Sequence, residues 1–219
     1  MSFSAILNYM GEGEKMKQIK ATYKEAIDVA KKNSGKDLAG SSYLHIACQF
    51  GEKDAVKELI ASGYDVNQLN NFRKTPAHLA CYAMQKEILE ILLDAGADMN
   101  IQDDFGNSLI HVCAAVGDVQ MAQMLINKGA DLSIRDIYGC TALHQCAVAN
   151  NYELASILSD KVFIDVVDKF HNTPLCTACS CGAAETALIL AKKGADVEHK
   201  NMYNVSPVDT MNEIIGRMS

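Results

Sequence analysis

No stretch of the sequence approaches the ~20 consecutive apolar residues that a membrane-spanning helix needs. Positive charge is not in excess either. Twenty Lys and Arg stand against 27 Asp and Glu, for a formal net charge of −7. That balance speaks against nucleic acid and anionic membrane as main partners. Met1 to Met10 carry no basic region and only a short apolar run, so no export signal is read there. A Gly-rich phosphate loop, a serine nucleophile elbow and an acidic metal motif are all missing. Proline is scarce, with three in 219 residues. What remains is ordinary globular composition, 49% hydrophobic and 21% charged. It suits one large core or an array of small ones. The eight cysteines would suggest disulfides in a secreted chain. Without an export signal, reduced thiols and a cytoplasmic or nuclear location are the expectation.

The chain repeats itself. Ser42-Tyr-Leu-His-Ile-Ala47, Thr75-Pro-Ala-His-Leu-Ala80, Ser108-Leu-Ile-His-Val-Cys113, Thr141-Ala-Leu-His-Gln-Cys146, Thr173-Pro-Leu-Cys-Thr-Ala178 and Ser206-Pro-Val-Asp-Thr-Met211 are variants of one hexapeptide. Their first residues lie 33, 33, 33, 32 and 33 apart. A second marker runs in phase, at Gly63-Tyr-Asp-Val-Asn67, Gly96-Ala-Asp-Met-Asn100, Gly129-Ala-Asp-Leu-Ser133 and Gly194-Ala-Asp-Val-Glu198.

These markers and their period resemble the ankyrin repeat. The resemblance implies an all-α fold, in which a β-turn and two antiparallel helices form each unit and the units stack into a curved solenoid. It places repeats at 37–69, 70–102, 103–135, 136–167 and 168–200. Residues 201–219 form a C-terminal cap, and 1–36 an N-terminal helical cap or a degenerate first repeat.

The residues support helical hairpins in their own right. Each hexapeptide opens with Ser or Thr, whose hydroxyl can cap a helix. Pro76, Pro174 and Pro207 follow directly, where a missing N–H is harmless. Leu44, Leu143 and Leu175 are read as inward-facing, and Ala47, Ala80, Ala114, Ala147 and Ala178 as sites of close helix approach. Gly51, Gly117, Gly182 and Asn150 suit the left-handed break between helices. Met84 does not, so a different turn is predicted there. The loop Asp160 to Asp168 is one residue short and lacks the glycine, so a distorted turn is predicted. A lone hairpin cannot bury its apolar face, so stability must come from stacking.

His45, His78, His111 and His144 recur at one repeat position, where a structural hydrogen bond is the favoured reading over a catalytic one. His171 and His199 lie outside that row. Cys176-x-x-Cys179-x-Cys181, near His171, keeps a metal- or redox-sensing alternative open. Against it, Cys48, Cys81, Cys113, Cys146 and Cys179 fall where the repeat takes a small buried residue.

The candidate binding residues are periodic too. Phe72, Phe105, Tyr138, Phe170 and Tyr203 recur three residues before Thr75, Ser108, Thr141, Thr173 and Ser206. The resemblance puts them at the tips of the inter-repeat turns, on a concave recognition surface. It adds the turn residues Asn71, Lys74, Asp104, Asn107, Ile137, Lys169 and Asn172, and the helix residues Phe50, Tyr82, Val116 and Val148. An exposed aromatic row is the kind of surface that anchors a protein partner. The expectation is therefore a non-catalytic protein-interaction scaffold that binds a protein partner, with no cofactor, no metal, no small-molecule substrate, no nucleic acid and no membrane. In size and in its short last copy the chain is also similar to small ankyrin-only chaperones of the proteasome regulatory particle. The resemblance further implies that Asn67 and Asn100 can be substrates of an asparaginyl hydroxylase.

Overall fold

A computed structural model describes Ala21, Glu25, residues 35–37 and residues 39–218, with side chains through Asn212. The predicted N-terminal cap, 1–36, lies almost wholly outside the described residues. Among those described there are eleven helices and no strand, only an isolated bridge between Lys36 and Ser42.

The chain divides into two compact units, Met1–Ala97 and Asp98–Ser219. The first holds two helical hairpins, α1 (Tyr43–Phe50) with α2 (Lys53–Ala61), and α3 (Pro76–Tyr82) with α4 (Lys86–Asp94). The second holds α5 (Leu109–Val116) with α6 (Val119–Asn127), α7 (Ala142–Ala149) with α8 (Tyr152–Ser159), and α9 (Pro174–Cys181) with α10 (Ala184–Lys192). It ends in α11 (Pro207–Met218). Within each unit like packs on like. α1 lies against α3 and α2 against α4, while α5, α7, α9 and α11 form one layer and α6, α8 and α10 another.

The hexapeptide starts the first helix of each hairpin. Ser42, Thr75, Ser108 and Thr141 sit at extended N-cap positions, and the histidine three residues on closes a capping box. Pro76 and Pro174 hold the first turn of their helices. Left-handed Gly51, Gly117, Gly182 and Asn150 end these helices. Met84 departs from the sequence reading. It adopts the same left-handed geometry, with φ 54, and α3 stops one residue early, at Tyr82. Stacking fixes the chain path there, and the side chain accepts the strain.

Asn150 does a second job. The N-cap of α10 is Ala183, which has no acceptor. The Asn150 Oδ1 supplies one, taking the Thr186 N–H at 3.2 Å and its hydroxyl at 3.1 Å. One copy thus caps a helix in the next.

The short loop is distorted as the sequence predicts. α8 closes on Asp160 in right-handed geometry, and no residue of 160–168 has positive φ, whereas Gly63, Gly96, Gly129 and Gly194 do. The Lys193 ammonium grips the Asp160 carboxylate at 2.6 Å and ties this loop to the following copy.

The core lies between layers. Leu44, Leu89 and Leu92 fill it in the first unit, and Leu109, Met121, Leu125, Leu143, Leu154 and Leu175 in the second, all essentially without exposure. Leu143→Ala is expected to lose about 2–5 kcal/mol, from lost burial plus the cavity left behind. Urea denaturation checks this. Met84→Gly removes left-handed strain at an exposed position and is expected to gain about 1 kcal/mol; a lowered melting temperature would contradict that account.

Candidate functional site

The turns between hairpins are built around one Asp or Asn side chain per copy, buried at Asn70, Asp103, Asp136 and Asp168 and half-buried at Asp37 and Asn201. The Asp103 Oδ1 accepts the N–H of Phe105 and of Asn107, both at 2.9 Å. Asp136 does the same for Tyr138 and Cys140, both at 2.8 Å, and Asp168 for Phe170 and Asn172, both at 2.8 Å. Asn70 holds Phe72 and Lys74, Asn201 holds Tyr203 and Val205, and Asp37 holds Ala39 and Ser41. These are Asx-type turns. With its backbone N–H drawn inward, each aromatic projects outward.

Successive turns are also joined through their backbones. In the second unit, Ile137 N–H donates to the Phe105 carbonyl at 3.0 Å, Lys169 to Tyr138 at 2.9 Å, and Met202 to Phe170 at 3.1 Å. In the first unit Asn71 donates to Ala39 at 2.9 Å. The packing is close. A Cβ on Gly106 would lie 2.8 Å from the Asp136 Cα and the Ile137 N, so only glycine fits there.

The aromatic tips stand in solvent. Phe72 is 53% exposed, Phe105 55%, Tyr138 53% and Tyr203 67%, and Phe170 and Ile137 are exposed as well. On the helices beside them Val148 and Tyr82 are exposed, and Phe50 and Val116 half-buried. Asn71, Asp104 and Lys169 are exposed. Lys169 is not free, since its Nζ donates to the Ile137 carbonyl at 2.7 Å. The half-buried Lys74 places its Nζ 4.1 Å from the centre of the Tyr82 ring, a cation–π contact. Asn107 and Asn172 are half-buried and serve the turns themselves. The Asn172 Nδ2 donates to Asp168 Oδ2 at 3.1 Å, and its Oδ1 accepts from Asn201 Nδ2 at 2.9 Å. The Asn172 amide is thus engaged on both sides within the turns.

The sequence reading missed the Asp and Asn residues that hold the turns. Asp37, Asn70, Asp103, Asp136, Asp168 and Asn201 share the 33-residue period, and that register was the available signal. It also missed Met202, exposed beside Tyr203 in the register of Ile137.

The histidine row is structural. The Nδ1 of His45, His78 and His144 accepts the N–H of its own N-cap residue at 3.2 Å, and that of His111 at 3.4 Å. An Nδ1 that accepts leaves the proton on Nε2. The Nε2 of His45 reaches the Lys74 carbonyl at 2.9 Å, that of His111 the Cys140 carbonyl at 3.3 Å, and that of His144 the Asn172 carbonyl at 3.0 Å. The later copies do the job with other groups. The Cys176 thiol lies 3.3 Å from the Thr173 hydroxyl and 3.7 Å from the His199 carbonyl. Asp209 accepts from the Ser206 N–H and hydroxyl, which lowers its pKa.

No disulfide joins the cysteines. Burial pushes Cys179 up to about 11 and Cys146 up to about 12, away from the reactive thiolate. Cys176 and Cys179 are buried and Cys181 exposed. Among the described residues no three His, Cys, Asp or Glu converge in a way that could hold a metal.

Models of three consecutive ankyrin repeats match residues 15–103, 44–136, 85–168 and 109–201. The chain is an ankyrin-repeat protein. No curated protein matches it. Ankyrin repeats commonly mediate protein–protein interaction and are generally non-catalytic scaffolds. In this ankyrin-repeat protein, no helix among the described residues is long and apolar enough to cross a membrane.

The histidine row makes stability depend on pH. Burial lowers the pKa of His45, His111 and His144 below 6.5, against smaller opposing effects from their hydrogen bonds and nearby acids. Below that value the unfolded chain binds protons that the folded chain refuses, so stability is lost as pH falls. Above about 6.5 the contribution of the three imidazoles is complete. The urea midpoint is expected to be lower at pH 5.5 than at pH 7.5. Equal midpoints would mean that these rings are not held neutral.

Proposed function

We propose that this ankyrin-repeat protein is a non-catalytic adaptor, working without a cofactor, that holds a protein partner on its turn-tip face. In the unit Asp98–Ser219 that face consists of Phe105, Ile137, Tyr138, Phe170 and Tyr203, flanked by Val116, Val148, Asp104 and Lys169. Phe50, Asn71, Phe72, Lys74 and Tyr82 make the corresponding face of the first unit. The repeats run 37–69, 70–102, 103–135, 136–167 and 168–200, with a cap at 201–219. Eight cysteines without a disulfide suit the reducing cytoplasm or nucleus.

One observation carries the reading. Large apolar side chains stand in water on consecutive turns, and those turns are held by Asp or Asn side chains and by backbone bonds from one to the next. Contiguous exposed apolar surface of this kind marks interaction sites. A preformed surface also lowers the ordering cost of binding. Within the class, an assembly chaperone of the proteasome regulatory particle is the narrower form. Co-purification of proteasomal ATPase subunits would support it.

The test is affinity purification from native lysate, followed by quantitative binding of the main captured protein. Anchors of this type contribute about 2 kcal/mol or more each. Phe105→Ala with Tyr138→Ala is therefore expected to weaken capture by more than about 100-fold while leaving the melting transition nearly unchanged. Undiminished capture by the double variant would refute the assignment.

A further inference from the structure

The loop after each second helix carries an aspartate in four copies, Asp65, Asp98, Asp131 and Asp196. Each accepts the N–H two residues on, from Asn67 at 2.9 Å, Asn100 at 2.8 Å, Ser133 at 2.8 Å and Glu198 at 2.9 Å. Counting back five residues from the turn acid Asp168, as in the other copies, the same register holds Phe163. A phenyl ring accepts no such bond. It is 73% exposed, more than any other large apolar side chain among the described residues. Replacing a capping carboxylate by a ring left in water is unfavourable for the fold on both counts.

Beside this ring lies a cleft of about 450 Å³, between the short loop and the loop before it. Leu132, Val162, Phe163 and Val166 give it an apolar lining, and Arg135 and Lys161 line it too. Asp131, also in the lining, is already occupied by the N–H and hydroxyl of Ser133. The Arg135 guanidinium reaches only carbonyl oxygens, those of Gly139 at 3.1 Å and Val167 at 2.5 Å. Among the described residues no carboxylate pairs with Arg135 or with Lys161. In a chain of net charge −7, two cations without acidic partners flank one apolar cleft.

We propose that this cleft docks an extended segment of a partner protein, presenting a large apolar side chain with a carboxylate one or two residues away. The side chain would pack against Phe163 and Val166 and the carboxylate would face Lys161 and Arg135. The volume suits one or two side chains and not a helix, whose width is about 10–12 Å. Phe163, Arg135 and Lys161 are exposed, so the cleft is open to a group arriving from outside. An enclosed small-molecule site would bury most of its ligand.

The experiment is panning of a random twelve-residue linear peptide library, displayed on phage, against the full chain. Selected peptides are then measured on Phe163→Asp, on Lys161→Glu and on the Phe105→Ala/Tyr138→Ala double variant. Phe163→Asp installs the residue the other four copies use, and its melting temperature is expected to be no lower than that of the parent. The expected result is a consensus pairing an aromatic or aliphatic residue with Asp or Glu. Its affinity falls at least tenfold on Phe163→Asp and on Lys161→Glu and is unchanged on the double turn variant. The proposal is overturned by no enrichment, by a consensus without an acid, or by binding indifferent to both cleft substitutions. Peptides lost only on the turn variant would support the turn face and count against the cleft.

Discussion

The imidazoles of His45, His111 and His144 each face two ways. Nδ1 accepts the N–H of its own N-cap residue, and Nε2–H meets a carbonyl in the turn of the following copy. One ring therefore makes the start of a helix conditional on a neighbour being present. Burial of the leucines between layers supplies most of the stabilisation, at about 2 kcal/mol for each fully buried side chain. A hydrogen bond of this kind contributes nearer 1 kcal/mol net. Burial is not directional, however, and cannot choose a register. The rings do, because only one sliding position puts a carbonyl within reach of Nε2. Fold strength and fold geometry thus come from different groups.

The same division explains why the position tolerates change. Cys176 and Asp209 stand where the earlier copies have histidine, and each still engages its N-cap residue. Cys176 also keeps a contact with a downstream carbonyl. What the array requires there is a polar group of the right reach, not imidazole chemistry. That is the physical argument for a structural row and against a catalytic one.

Much of this could be read from the residues, because helix starts depend on local chemistry. Ser or Thr followed by Pro and then an apolar residue specifies an N-cap and an inward side chain without reference to anything distant, and the hairpins follow. The turns are different. An Asp or Asn two residues before an aromatic looks like any polar loop residue, and its burial by surrounding turn amides exists only once the backbone is folded. For the same reason Asn172 looks available in the sequence and is committed in the structure. Met84 shows the opposite case, in which local preference is clear and stacking overrides it. The unusual exposure of Phe163 depends on how the shortened loop closes, which the missing glycine alone does not determine.

The ladder of backbone bonds between turns has a consequence for how such an array can change length over evolution. The fourth copy has lost a residue, yet Lys169 still meets Tyr138 and Met202 still meets Phe170, at 2.9 and 3.1 Å. The deletion was absorbed in the loop behind the second helix. A similar change inside a turn would misalign every amide after it. Within this unit a change of length is thus accommodated in the loop behind a second helix, where new surface can form while the turns stay in phase.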